Sequence, residues 1–540
     1  MLNSAAHGVP GRLAGWGEST ISAMLQERNR AVLNRRDLLT RLAASTSLLA
    51  CPSLHAIAQL STATAHAGRG EFGLWNPLAF GARGNGAAND TAALQHTIDA
   101  CARGGGGTVI LPPHHTFLSG TLSLSSNVEL HLAGGSTLLA SPNRDHFRKL
   151  GSLLFARDAR NIRISGNGTI DGNFAAFFPP KGPNGYAIPS PFLGPYDPLY
   201  PPAALNPPDG RPRMILLVGC RNTQLADFTI RDSPTWTIHP IGCDGLHISG
   251  LSILNSLEIP NCDGIDIDHC RNVRIEGCNI IAGDDCLVLK ASRNFGDYGA
   301  CEGITITNCT LESSSAGIKI GNEGPYPLRS ATVSNCTIVR TNRGISLTNR
   351  DGELVEDLLF TDMTIETRMR TMMWWGSGEP VFVSSAPRSS GAAVGQFRGI
   401  QFANIACRSE SGIYLRGTRE APLRDVSFRG IDLLIEKSTS IPGGFYDVRP
   451  DDTPGASGLD ERATAGLFAA DVNGLTLSDV HIGWGVQRPD YYGSALELHD
   501  CNGVGLTDVT GSAAHAANPP SIFDNVQLAT NLAPAGEPPH

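Results

Sequence analysis

Three aspartates stand where a repeating chain would bring them together. Asp263 lies in the run Asn261-Cys262-Asp263-Gly264, and Asp284 and Asp285 lie in Gly283-Asp284-Asp285-Cys286. Carboxyl groups held at a fixed separation are the means by which most enzymes cleave glycosidic bonds. One acid protonates the leaving oxygen, and another carboxylate activates water or attacks the sugar. Asp and Gly also mark turns, and a single Asp-Gly needs no other explanation. Turns do not account for three acids gathered at the start of one strand position on successive repeats. The pattern points to hydrolytic chemistry on a sugar.

Such acids must be positioned by a scaffold, and the scaffold is written as a repeat. From about residue 160 to 510, short segments recur: Asn161 to Ile164, Gly245 to Ile248, Asn272 to Ile275, Gly303 to Ile306, Gly399 to Phe402, Asp425 to Phe428 and Gly474 to Leu477. Each alternates apolar with polar residues, the period of a half-buried strand. A second short strand follows each after a Gly or Asn. One such unit cannot bury its own inner face, so neighbouring units must stack. The expectation is an all-β chain wound as a right-handed, single-stranded parallel β-helix.

The start of the domain reads differently. Asn89 to Cys101 has a helical period, with Asp90 as N-cap candidate and Gly104 to Gly107 ending the helix. This helix would cap the first coil, which begins at Thr108 to Pro112, and cover an open strand edge. The stretch from Phe174 to Pro212 is rich in Pro and Gly without periodicity and reads as a long loop beside the cleft. The β-helix is expected over 72–510, and 511–540 as a poorly ordered Ala/Pro-rich tail.

Residues 1–58 read as an export region. Asn34-Arg35-Arg36-Asp37-Leu38-Leu39 resembles a twin-arginine signal, and Leu42 to Ala50 is apolar but too short to span a bilayer. Ala56 to Ala58 offers a cleavage site, with 59–71 as linker. Leu48 to Cys51 offers a competing lipid-attachment site, and Met24 is a second candidate start. A periplasmic or extracellular protein is expected.

Composition agrees with a turn-rich β protein. The 540 residues include 61 Gly and 35 Pro, with 41% hydrophobic, 17% charged and 6% aromatic residues, so a core is available and disorder is not the default. A net charge of −9 argues against nucleic acid as a partner, and mildly against an acidic substrate unless the cleft is locally basic. The 13 cysteines invite a disulfide framework in an exported chain. Their register argues otherwise. Cys220, Cys243, Cys270, Cys301 and Cys501 each precede a strand by the same step, and Cys278, Cys309 and Cys336 each follow one. Stacked coils would turn these eight into internal ladders about 4.8 Å apart. In-register parallel strands rarely give disulfide geometry, so buried free thiols are expected.

The motifs together resemble glycoside hydrolase family 28, the polygalacturonase and rhamnogalacturonan hydrolase family. The resemblance rests on Arg211 to Ile215, Ser233 to Pro240, Asn261 to Asp263 and Gly283 to Cys286, with Phe80 to Gly86 and Asn89 to Ala93 at the start. It covers most of 72–510. It implies a pectin-lyase-like solenoid and an inverting hydrolase that needs no metal or cofactor. It implies Asp284 as the general acid, with Asp263 and Asp285 positioning and activating water. Inverting sites hold their carboxyls roughly 6.5–9.5 Å apart.

Two departures bear on the substrate. The family's Gly-His-Gly histidine is replaced by Ala316, and its Arg-Ile-Lys pair by Ser346 and Thr348. Those basic residues grip the substrate carboxylate. Aligning strands places Asp266, Val288, Lys319 and Ser346 in one outward column, and Asp268, Lys290, Gly321 and Thr348 in the next. Lys319 and Lys290 either bind a uronate in place of the missing pair or neutralise the aspartates. Arg343 and Arg350 are further candidates, read as solvated. Trp374, Trp375 and Glu379 form a cluster that could stack on and bind sugar, or merely cover apolar surface. Trp236 falls one coil before Asp263 and could floor the cleft. His239 beside it reads as a structural hydrogen-bonder, and His247 and His269 as strand positions.

The reading is an exported inverting glycosidase, acting as a monomer on a pectic or related uronate-containing polysaccharide. A branched or rhamnogalacturonan-type substrate fits the lost basic motif better than smooth homogalacturonan. Two other readings stay open: a β-elimination lyase on the same solenoid, and a non-catalytic carbohydrate-binding relative.

Overall fold

A computed structural model of the protein describes residues 73–178, 210–292, 296–321, 324–370, 376–387, 391–448 and 459–529. The expected export region and linker, the lipid site at Cys51, Trp374 and Trp375, the 179–209 part of the expected loop and the end of the tail lie outside the described residues.

Alternation of apolar and polar residues makes each coil a set of short strands, and stacking in parallel satisfies their backbone groups. The register follows the repeat. Ile162 pairs with Thr223, Thr223 with Leu246, Leu246 with Val273, and Val273 with Ile304. The same ladder continues through Ala331, Leu358, Ile400, Val426 and Leu475. Thr223, Ala331 and Leu358 belong to copies absent from the sequence repeat. Thr223 and Ala331 are a hydroxyl and a small residue at the inward position, which hides the apolar mark. The residue ahead of the inward position is left-handed on successive coils: Asn161 (φ 56°), Asn222 (51°), Gly245 (74°), Asn272 (56°) and Gly303 (69°). Only Gly and short polar side chains take that conformation readily, which is why Asn, Asp and Gly recur there.

The coils stack inward-facing Ile, Val, Leu and Phe into one continuous core. Helix Thr91–Arg103 packs its buried Leu94, Ile98 and Cys101 toward the first coils. Asp90 occupies the N-cap position, but its carboxylate accepts from the Arg83 and Gly84 amides at 2.7 and 2.9 Å instead of capping the helix. Within the expected 72–510 span the strand set begins ahead of the coil read as the first, with Leu74–Trp75 pairing onto Gly107–Leu111. It also runs later. Strand Ser521–Leu528 pairs in parallel with Leu496–Gly511, so the tail boundary at 511 is too early; its alternation is masked by the surrounding Ala and Pro.

All twelve cysteines of the described residues are buried and free. Cys220 and Cys243 interact directly, as do Cys243 and Cys270, and Cys309 lies between Cys278 and Cys336. The hydrogen bond to Cys243 and burial push the Cys220 thiol up. These thiols should ignore a thiol reagent in the native protein and react once denatured without reductant. A denatured chain with few titratable thiols would show that the ladders are oxidised.

One antiparallel pair breaks the pattern. Phe445–Asp447 pairs with Leu459–Glu461 inside an insertion between Leu423–Ile435 and Leu467–Trp484. Tyr446 from this pair packs on the outward stack Phe382, Tyr414 and Phe468. No helix of the described residues is long and apolar enough to cross a membrane.

Candidate active site

Five strands on one side of the solenoid carry the site: Ile238–Ile241, Ile265–Asp268, Leu287–Lys290, Ala316–Gly321 and Arg343–Asn349. Their register realises the columns read from sequence. Asp266 pairs with Val288, Val288 with Lys319 and Lys319 with Ser346. Asp268 pairs with Lys290, and Gly321 with Thr348. The turns entering these strands demand glycine. A Cβ on Gly264 would lie 2.3 Å from the Cys286 carbonyl oxygen, and one on Gly283 2.2 Å from that of Ile259.

This packing gathers Asp263, Asp284 and Asp285 so that one carboxylate oxygen of each lies within 4.8 Å of the others. That is tighter than the spacing expected of an inverting pair. The reason is geometric: Asp284 and Asp285 are adjacent residues, and Asp263 sits one coil away at the interstrand distance. Asp263 and Asp285 are buried, and Asp284 is half-buried.

Their surroundings differ. Asp284 Oδ2 accepts from the Asn261 amide at 3.2 Å, and Oδ1 from the Asp285 amide at 3.1 Å. Burial first, then the Asp285 charge, push the Asp284 carboxyl up to about 7, against opposition from Lys319, the Asn261 amide and Lys290. Burial also holds Asp263 well above the usual carboxylate range, aided by Asp266 and Asp284. Asp263 Oδ1 has no hydrogen-bond partner among the described residues. Asp285 is anchored: Oδ1 accepts from Ser315 Oγ at 2.7 Å and the Ala316 amide at 3.0 Å, and Oδ2 lies 3.3 Å from Lys319 Nζ.

The other sequence candidates divide. Lys290 Nζ lies 2.8 Å from Asp266 Oδ1 and 3.9 Å from the Trp236 ring centroid, so Trp236 packs on the lysine that pairs with Asp266. His239 is fully buried, 3.4 Å from Asp268 Oδ2, and burial lowers it to about 4, which leaves it neutral. His247 lies in its strand, but His269 sits at a left-handed turn (φ 53°) after Asp268. Arg343 and Arg350 are not solvated but buried, with exposures of 1% and 4%. Arg343 Nε contacts Glu379 Oε2 at 3.3 Å, its guanidinium stacks 3.6 Å from the Phe382 ring centroid, and Nη2 donates to the Asp447 carbonyl. The cause is strand Phe445–Asp447, far away in sequence, whose Asp447 carbonyl meets the guanidinium. Glu379 is fully buried and also accepts from the Ser377 amide at 2.7 Å. Arg343 and Glu379 therefore hold each other in the wall of the site.

Sequence reasoning missed the supports of the trio: the Asn261 and Ala316 amides, Ser315, and Ser313, whose Oγ donates to the Asp284 carbonyl at 2.5 Å. The run Ser313-Ser314-Ser315 ahead of a strand was the available signal.

A parallel β-helix presenting three clustered carboxyls, two of them raised by burial and neighbouring charge, is suited to glycosidic hydrolysis. Residues 203–442 match the family model for glycosyl hydrolases family 28. A probable polygalacturonase of Vitis vinifera is 27% identical over 405 residues, covering 68% of this chain and 76% of that one. Among solved structures, an exopolygalacturonase from Thermotoga maritima shares the fold at TM-score 0.53 and 22% identity, covering 68% of this chain and 87% of that chain. A family 28 exopolygalacturonase from Yersinia enterocolitica does so at 0.56 and 19%, covering 84% and 78%. Over residues 203–442 the chain is thus similar to glycosyl hydrolases family 28.

Proposed function

We propose that the protein hydrolyses glycosidic bonds in a pectic polysaccharide with inversion, using Asp284 as general acid and Asp263 with Asp285 to hold and activate water. The observation that carries this is the unequal treatment of the three carboxyls. Asp284 keeps a proton near neutral pH and is the most open to a ligand. Asp263 offers an oxygen with no hydrogen-bond partner among the described residues, and takes a proton from water when ionised, a form that Lys290 favours against burial and the charges of Asp266 and Asp284. Asp285, fixed by three donors, orients that water. In the reaction Asp284 gives its proton to the leaving oxygen as the bond from the anomeric carbon breaks. Water adds to that carbon and loses a proton to Asp263.

The substrate reading is a branched or rhamnogalacturonan-type pectic chain. Lys290 and Lys319, the candidates to replace the missing basic pair, lie against Asp266 and Asp285. These ion pairs support a neutralising role over a grip on a uronate. At the positions of the lost basic pair, the Ser346 and Thr348 hydroxyls bring no charge. Export by the twin-arginine-like segment is part of the same proposal, since a polymer of this kind is met outside the cytoplasm. The test is incubation with a panel of defined pectic oligosaccharides, reading new reducing ends. Cleavage of branched or rhamnose-containing members ahead of homogalacturonan is expected. Preference for unbranched homogalacturonan would overturn the substrate reading, and no new reducing ends from any member would overturn the activity.

A further inference from the structure

We infer that Arg211 is a positioning residue for the general acid, acting through the turn at Pro260 and Asn261. The inference rests on the proposed role of Asp284. Arg211 is half-buried just ahead of strand Arg213–Val218, outside the strands that carry the trio. Its guanidinium ties two turns together. Nη1 donates to the Pro234 carbonyl at 2.7 Å and to the Pro260 carbonyl at 3.3 Å. Nη2 reaches Asn261 Oδ1 at 3.5 Å, the long limit of such a contact. The Phe178 ring, its centroid 5.4 Å from the guanidinium carbon, provides an aromatic neighbour.

What this holds is a backbone donor at a turn. Asn261 has a left-handed backbone, φ 56°, a conformation that asparagine takes readily. From that conformation its amide points at Asp284 Oδ2, 3.2 Å away. This is the contact that joins the acid to the neighbouring coil. The amide also favours the charged form of Asp284, against burial and the Asp285 charge. The planar fork of arginine can bind two carbonyls and an amide oxygen at once, whereas a lysine is a point charge on a flexible stem. Pro234 and Pro260 can offer only carbonyls here, since neither has an N–H.

Loosening the turn should therefore do two things. It should misplace the acid, and it should remove an interaction that stabilises the carboxylate. The experiment compares wild type, Arg211→Lys and Arg211→Ala across pH. Substrates are a pectic oligosaccharide cleaved by wild type and an aryl glycoside of the same sugar with an activated leaving group. Melting curves confirm that each variant is folded. If Arg211→Ala fails to fold, Arg211→Lys carries the test. For Arg211→Ala, kcat on the natural substrate should fall about tenfold, the size of a lost hydrogen bond to a charged group. KM should change by less than about twofold, the mark of an interaction expressed in the transition state. The alkaline limb of the kcat profile should move to higher pH, and the aryl glycoside should suffer less. An unmoved limb with equal losses on both substrates would overturn the inference while leaving the hydrolase reading intact. A wild type that releases no reducing ends would overturn the reading on which the inference rests.

Discussion

Asp284→Asn should lose about 10²–10⁴-fold in kcat on natural pectic substrates, the usual worth of general acid–base help. Substrate binding should survive, because the amide fills the same space and the loss falls on a proton transfer. A substrate with an activated leaving group needs less protonation and should be hurt less. The pH profile carries a second signature. The acid must hold its proton to work, and burial with the Asp285 charge raises it to about 7. Wild-type kcat should therefore fall as pH rises through about 7. In Asp284→Asn that limb should vanish. Near-normal turnover of the natural polymer by the variant would place the acid elsewhere.

Lys319→Met should be the most destabilising change in the site. The Lys319–Asp285 pair lies at 3.3 Å with both side chains 7% exposed. Removing one partner of such a pair leaves a buried charge without compensation, which typically costs about 3–5 kcal/mol. Ser315 and the Ala316 amide still hold the other oxygen of Asp285, which limits the cost toward the lower figure. Lys319 also opposes the rise of the Asp284 carboxyl, so its loss should push Asp284 further up and carry the alkaline limb to higher pH. Urea unfolding of Lys319→Met and of Lys319→Met/Asp285→Asn measures the pair. The double variant should regain most of the lost stability while remaining inactive. If Lys319→Met instead keeps its stability and only raises KM on uronate oligosaccharides, the lysine grips substrate.

Much of this site was legible because a solenoid converts sequence register into space. Once the apolar positions of Gly245 to Ile248 and Asn272 to Ile275 are aligned, the rest of each coil follows, and Asp266, Lys290 and Lys319 fall beside the acids. The illegible parts are those the repeat does not encode. The amide of Asn261 matters through its backbone conformation, which a residue name does not reveal. Arg343 read as a solvated strand residue because the strand that meets it, with Asp447, lies far along the chain. The N-cap role of Asp90 failed because two backbone amides compete for the same carboxylate. The close approach of the three carboxyls was also hidden, since register fixes which coils are neighbours but not where flexible side chains converge.

That close approach sharpens the decisive measurement. Carboxyls about 5–5.5 Å apart are the usual mark of retention, and wider spacing of inversion. Here the oxygens approach within 4.8 Å, yet a third carboxylate is present, so that one can act as acid while two hold water. Time-resolved proton NMR of the first product released from a cleaved pectic oligosaccharide reads the anomeric configuration before mutarotation. The inverted anomer is expected from the wild type, with no signal from Asp263→Asn. A retained anomer would mean that one of the carboxylates attacks the sugar directly, and an unsaturated product absorbing in the ultraviolet would mean elimination; either contradicts the proposed roles.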